Sequence, residues 1–127
     1  MRHLALALLL AAAGCDALTG SSAPDFGDRY RLQTVDRPTV ALDGSRVVVP
    51  VEYGGGCAEH TFALRSRLDG DTATVWFEHD ANGDACEALR SEVLEAELPA
   101  GAAATPHVVL RVPVSLSSDD EVAFELR

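Results

Sequence analysis

Two thiols and two imidazoles crowd into residues 54–92: Cys57, His60, His79 and Cys86. Such a set supports either of two chemistries. Two thiolates and two imidazoles are ligands suited to zinc or copper. Two cysteines in an oxidising compartment form a structural disulfide instead. A third arrangement keeps the disulfide and lets His60 and His79 hold a metal with a carboxylate such as Glu59 or Asp80. The spacing weighs against a zinc site, because Cys86 lies seven residues from His79 whereas zinc motifs pair their ligands closely in sequence. Asp80-x-Asn82-x-Asp84 has the opening of a calcium loop, but Ala85 stands where the loop needs glycine and Ser91 where it needs a bidentate Glu. The serines sit in no nucleophile elbow, and Glu92, Glu95 and Glu97 have the pattern of a solvated strand face. No catalytic residue is assigned, no resident cofactor is implied, and a non-enzymatic protein is expected.

For these side chains to meet, the backbone between them must fold back twice. Asp69-Gly70 and Asn82-Gly83 are dipeptides that favour the positive φ of two-residue hairpin loops. Centring loops on them predicts a three-stranded antiparallel meander with Leu64 opposite Val75, Phe62 opposite Phe77 and His60 opposite His79. The third strand would bring Cys86 opposite His79, so that His60, His79 and Cys86 form one row on the core face. Strand alternation puts Leu64, Val75, Phe62 and Phe77 on that same face, in agreement with the turn placement. Trp76 then projects from the opposite face, either packed under a second layer or exposed beside Arg65 and Arg67.

The meander sets Cys57 and Cys86 at one end of the sheet but two strand spacings apart, about 9.6 Å. A disulfide needs Cα atoms within about 6.8 Å. The bridge therefore requires either that the glycines 54–56 curl over the second strand or that the third strand leaves the sheet.

The rest of the chain reads as strand and turn. Residues 30–35 and 38–42 form a weak strand pair, and 46–53 alternates Val47, Val49, Val51 and Tyr53. Pro50 argues that this strand is an edge or carries a bulge. The third strand is read as running from Cys86 toward Leu98, in preference to a short helix over 85–96, with a bulge near 89–91 turning Val93 or Leu94 inward because the meander register otherwise buries Arg90. Residues 99–106 are a loop; Val108, Leu110, Val112 and Val114 share one face, as do Val122, Phe124 and Leu126. Seven to eight short strands with close turn spacing predict an all-β fold, an antiparallel β-sandwich or small barrel.

The amino terminus gives the compartment. A basic start and the apolar residues 4–13 suit the core of a secretory signal and are too short to span a bilayer. Ala12-Ala13-Gly14-Cys15 after this leucine-rich run resembles the lipobox of bacterial lipoproteins, although Ala12 stands where that motif most often has Leu. The resemblance implies cleavage before Cys15 and acylation of its thiol. It divides the chain into a signal peptide (1–14), a lipidated Cys15 with a flexible tether (15–28) and a single β domain (29–127). The glycine-rich GGGCAEH and NGDACEA segments also resemble those of small exported lipoproteins, a likeness that brings no activity with it.

With Cys15 acylated, Cys57 and Cys86 remain as an even pair. The formal charge is −10, every cation is Arg, and loss of Arg2 with the signal makes the charge one unit more negative. So acidic a chain repels nucleic-acid phosphates and anionic headgroups, so no nucleic-acid partner is expected and membrane contact is expected through the acyl chains on Cys15 alone. The expectation is an envelope lipoprotein on the periplasmic or surface face, a disulfide-stabilised β module that binds or scaffolds an envelope protein or ligand. A metal-binding lipoprotein using His60 and His79 is the alternative.

Overall fold

A computed structural model of the chain describes residues 23–33 and 39–127. Cys15, the signal peptide 1–14, the tether as far as residue 22, and Val35 and Pro38 of the first strand pair lie outside the described residues. The remainder is an all-β sandwich of two four-stranded sheets. The strands in chain order are β1 (Arg31–Leu32), β2 (Ala41–Asp43), β3 (Arg46–Gly55), β4 (Thr61–Asp69), β5 (Thr72–Asp80), β6 (Ala88–Glu97), β7 (His107–Pro113) and β8 (Glu121–Glu125), with a single helical turn α1 (Ala100–Ala103) before β7.

One sheet is built on β3, which pairs with β6 on one edge and with β1 and then β2 on the other; the second runs β4-β5-β7-β8. The alternating residues meet between them. Val47, Val49, Val51 and Tyr53 of β3 face Ala73, Val75 and Phe77 of β5 and Val108, Leu110 and Val112 of β7, all buried.

Pro50 lies in a central strand, not an edge. Its carbonyl accepts the Gln33 amide at 3.0 Å, so its missing N–H falls on the β1/β2 side. There Val51 pairs with β1 and Val48 with β2, and Pro50 pairs with neither. Pro50 thus lies opposite Gln33, one residue past the end of β1, where its missing N–H falls outside the paired residues of both short strands.

The three-stranded meander is replaced by a two-stranded hairpin. β4 and β5 pair antiparallel, but the loop is Gly70-Asp71, with Asp69 opposite Thr72. Gly70 alone takes positive φ, at +60°, which is the first central position where a type II′ loop wants glycine. Phe62 therefore faces His79 and Leu64 faces Phe77, a slip of two residues from the expected pairs. A slip of two keeps every side chain on its face, so the inward set survives the wrong register.

The second turn forms as expected: Asn82 and Gly83 have φ of 53° and 69°, and the Asp84 amide donates to the Ala81 carbonyl at 3.0 Å. Beyond it the chain leaves the sheet, and β6 joins β3 in ten consecutive pairs from Gly55↔Ala88 to Arg46↔Glu97. No bulge is needed: Leu94 points inward, Val93 outward, and Arg90 lies opposite Tyr53 at the sandwich mouth. Because β6 and α1 lie between β5 and β7, those two strands pair parallel, Thr72 with His107 through Val75 with Leu110. A parallel pair requires such a crossover, and here the other sheet supplies it.

Residues 25–28, placed in the tether by the sequence, are fixed to the domain. The His79 amide donates to the Phe26 carbonyl at 2.9 Å and the Asp28 amide to the His79 carbonyl at 2.8 Å, filling the β5 edge that β7 does not reach. Trp76, half-buried on the outer face, donates its indole N–H to the Asp25 carbonyl at 3.0 Å, with the Arg67 guanidinium 6.0 Å over its ring.

Candidate functional site: a buried aspartate–histidine–histidine chain

The β3–β6 ladder determines where the cysteines go. Its register, continued two residues past Gly55↔Ala88, sets Cys57 directly opposite Cys86. Their Cα atoms are 5.8 Å apart and the sulfurs are bonded. The disulfide is the last rung of a regular ladder, reached because the third strand of the expected meander left β5 and joined β3. The expected row of His60, His79 and Cys86 is thereby broken: β6 does not pair with β5, and Cys86 bonds Cys57 rather than facing His79.

The two histidines do meet. The Asn82-Gly83 turn directs Asp84 under residues 56–58, where Oδ2 accepts the successive amides of Gly56, Cys57 and Ala58 at 3.0, 3.0 and 2.9 Å. Three neighbouring N–H groups converging on one oxygen make an anion nest. Asp84 Oδ1 accepts the Cys86 amide at 2.9 Å. His60 Nε2 lies 2.9 Å from Asp84 Oδ2, and His60 Nδ1 lies 2.8 Å from His79 Nε2. His79 Nδ1 ends the chain 3.2 and 3.1 Å from the carbonyls of Asp28 and Arg29. The side chains of His60 and Asp84 are 3% and 0% exposed, so water does not complete these bonds.

Aromatic rings enclose the chain. Phe62 stacks flat on His79 at 4.3 Å, and Tyr53 lies 4.7 Å from His60 while its hydroxyl donates to Glu92 at 2.8 Å. Gly55, the middle glycine of 54–56, leaves room for the array: a Cβ there would come within 2.6 Å of His60 Nε2 and 3.1 Å of Asp84 Oδ2.

Proton accounting fixes the charge of the array. The Nδ1 of His79 faces only carbonyl oxygens and must carry hydrogen. The His60–His79 contact needs one hydrogen, and the His60–Asp84 contact needs another when the carboxyl is ionised. Three ring hydrogens on two imidazoles amount to one positive charge, balanced by the aspartate. The carboxyl of Asp84 is held far below the usual carboxylate range by the His60 hydrogen bond and then by the backbone amides. A fourth ring proton would set two hydrogens against each other between the imidazoles. Burial, with the adjacent His60 charge, accordingly lowers the pKa of His79 from its ordinary 6.5, against the pull of the Asp28 and Arg29 carbonyls.

The histidines point at one another rather than at a common external point. A metal held by both, with Glu59 or Asp80, would require each ring to give up a hydrogen bond; Asp80 Oδ1 is itself engaged by the Asn82 amide at 2.8 Å. Cys57, Asp84 and Cys86 place one donor atom each within 4.8 Å of one another, but the two sulfurs are joined. Two clefts of about 280 and 270 Å³ adjoin His60 and share Glu92. A larger one, about 380 Å³, lies away from the histidines, near Arg29, Pro113 and Asp119.

Asp84 is the member that the sequence did not single out for this role. The usable signal was its position two residues before Cys86: once Cys57 and Cys86 are paired, a carboxylate there must lie beside the glycine run. No protein-family model, curated protein or solved structure matches the chain.

Proposed function

We propose that this chain is an exported lipoprotein, anchored through Cys15, whose disulfide-locked β-sandwich binds or scaffolds another envelope component without catalysing a reaction. The Cys57–Cys86 disulfide carries the reading: a bridge on the last rung of a regular ladder fits an oxidising, exported compartment. The non-catalytic part is supported by the histidine chain, in which every ring nitrogen and both Asp84 oxygens are engaged within the protein. Such an array supports a framework better than a general base, which needs a free lone pair in reach of a substrate. Among the described residues no helix is long and apolar enough to cross a membrane, and attachment through acyl chains on Cys15 needs none.

Labelled fatty-acid incorporation tests the anchor. The full chain should incorporate label and partition into detergent, and Cys15→Ser should lose the label. A Cys15→Ser variant that retains it would end the lipoprotein reading.

A further inference from the structure

The strand β6 is the outermost of its sheet: among the described residues it pairs with β3 and with no other strand. The phase of that ladder shows which backbone groups are left over. The Pro50 carbonyl turns toward β1, so Pro50 and its partner Val93 are not hydrogen-bonded to each other, and the Val93 N–H and C=O point away from β3. The Leu98 amide bonds the Ser45 carbonyl at 2.7 Å, which places the even-numbered residues on the β3 side. Leu89, Ser91, Val93 and Glu95 therefore present their backbone to the free edge. Their side chains lie on the outer face, where Leu89 and Val93 are 58% and 56% exposed, two of the three large apolar residues so exposed among the described residues. The edge carries no proline and no bulge, two of the devices against pairing; a third, charge, is present in Arg90, Glu92, Glu95 and Glu97.

We propose that β6 is a homodimer edge, pairing antiparallel with β6 of a second copy across a two-fold axis at Ser91. The residue pattern selects both the occupant and the register. Centred on Ser91, each Leu89 lies opposite Val93 of the second copy on the outer face. On the inner face each Arg90 lies opposite Glu92 of the second copy. Both kinds of cross-strand pair are favourable. Centring on Glu92 instead sets that carboxylate against its own copy and Leu89 against Glu95, so charge rejects the neighbouring register. Only the fringe pair, Glu87 with Glu95, is like-charged in the Ser91 register, and both residues are exposed, where salt screens them.

Sedimentation of the full chain in density-matched detergent should show a concentration-dependent dimer. Facing residues in a hydrogen-bonded pair have Cα atoms about 5.5 Å apart, within disulfide reach, so Ser91→Cys should give a covalent dimer on mild oxidation. Val93→Cys, about 14 Å from its own copy in this register, should not. Mixing Leu89→Cys with Val93→Cys should link the two variants. A Cys15→Ser background excludes links through Cys15. Ser91→Pro removes an outward N–H and no β3 bond, so it should weaken dimerisation by about tenfold or more while the Cys57–Cys86 bridge still forms. Should that variant misfold, Leu89→Lys with Val93→Lys supplies the same test from two exposed positions. A parent that stays monomeric at its highest soluble concentration overturns the proposal. So does a folded Ser91→Cys protein that does not cross-link, or a dimer indifferent to the folded edge variants.

Discussion

Asp84 supports two structures at once, the loop after β3 and the histidine chain, through five hydrogen bonds on its two oxygens. Asp84→Asn puts an amide where only one oxygen can still accept, so N–H groups that Asp84 now satisfies lose their acceptor. Hydrogen exchange should then quicken at the Gly56, Cys57 and Ala58 amides, and the melting temperature should fall. The same array makes stability depend on pH in two windows. His79 has a folded pKa below its ordinary 6.5, so the unfolded chain takes up the proton more readily and stability is lost as pH falls below about 6.5. Asp84 is also depressed, so its contribution is present above its unfolded value of 3.8 and is lost at lower pH, as pH approaches the folded value. Thermal melts should show the first loss in the parent and a blunted one in His79→Gln, measured against each protein's own stability at pH 6.5. An equally steep fall between pH 7 and 5 in that variant would remove His79 from the account. Gly55→Ala should displace His60 and cost about 1–3 kcal/mol, read by denaturant unfolding.

At the level of elements, the pairing of β3 with β6 decides the most. It aligns Cys57 with Cys86, brings Asp84 beneath 56–58, and leaves the far edge of β6 without a strand among the described residues. The bridge closes a separation of 29 residues, which by chain entropy stabilises the fold by about 3–4 kcal/mol. Reduction under native conditions should lower the melting temperature by roughly 10–20 °C. Two free thiols in protein prepared without reductant would contradict the bridge. The hairpin turns behave differently from one another. Asn82 and Gly83 both adopt positive φ, as a two-residue loop of that composition demands, whereas at the first hairpin the loop moved one residue to Gly70-Asp71. A slip of two in register keeps the inward face, so hydrophobic pattern could not distinguish the two placements.

For the whole molecule, charge is the opposing force. A formal −10 on 127 residues, with acidic residues along both β6 and the loops, makes the compact state repel itself. The exposed ion pairs, such as Arg46 with Glu95 and Glu97, are too open to water to offset this by much. Moderate salt should therefore raise the melting temperature at neutral pH, and the rise should shrink as the carboxylates are protonated. A melting temperature that falls on adding sodium chloride at pH 7.5 would show that specific ion pairs, not net repulsion, dominate.

Strand alternation, the turn dipeptides and the even cysteine pair are local properties. They were sufficient for an all-β fold, sandwich or small barrel, and for the inward sets of β3, β5 and β7, and they favoured the Cys57–Cys86 bridge over a metal site. The meeting of His60 and His79 was also legible, because any register that keeps Phe62 and Phe77 inward leaves both rings at one end of the hairpin. Tertiary structure decided which strand β6 joins, since an Asn-Gly turn reverses the chain without choosing the sheet it enters. It alone placed Asp84 in the nest, made β3 a central strand despite Pro50, and set β5 parallel to β7. The physical reason is common to all four: each depends on contacts between residues distant in sequence, whose partners the periodicity of a single strand does not specify.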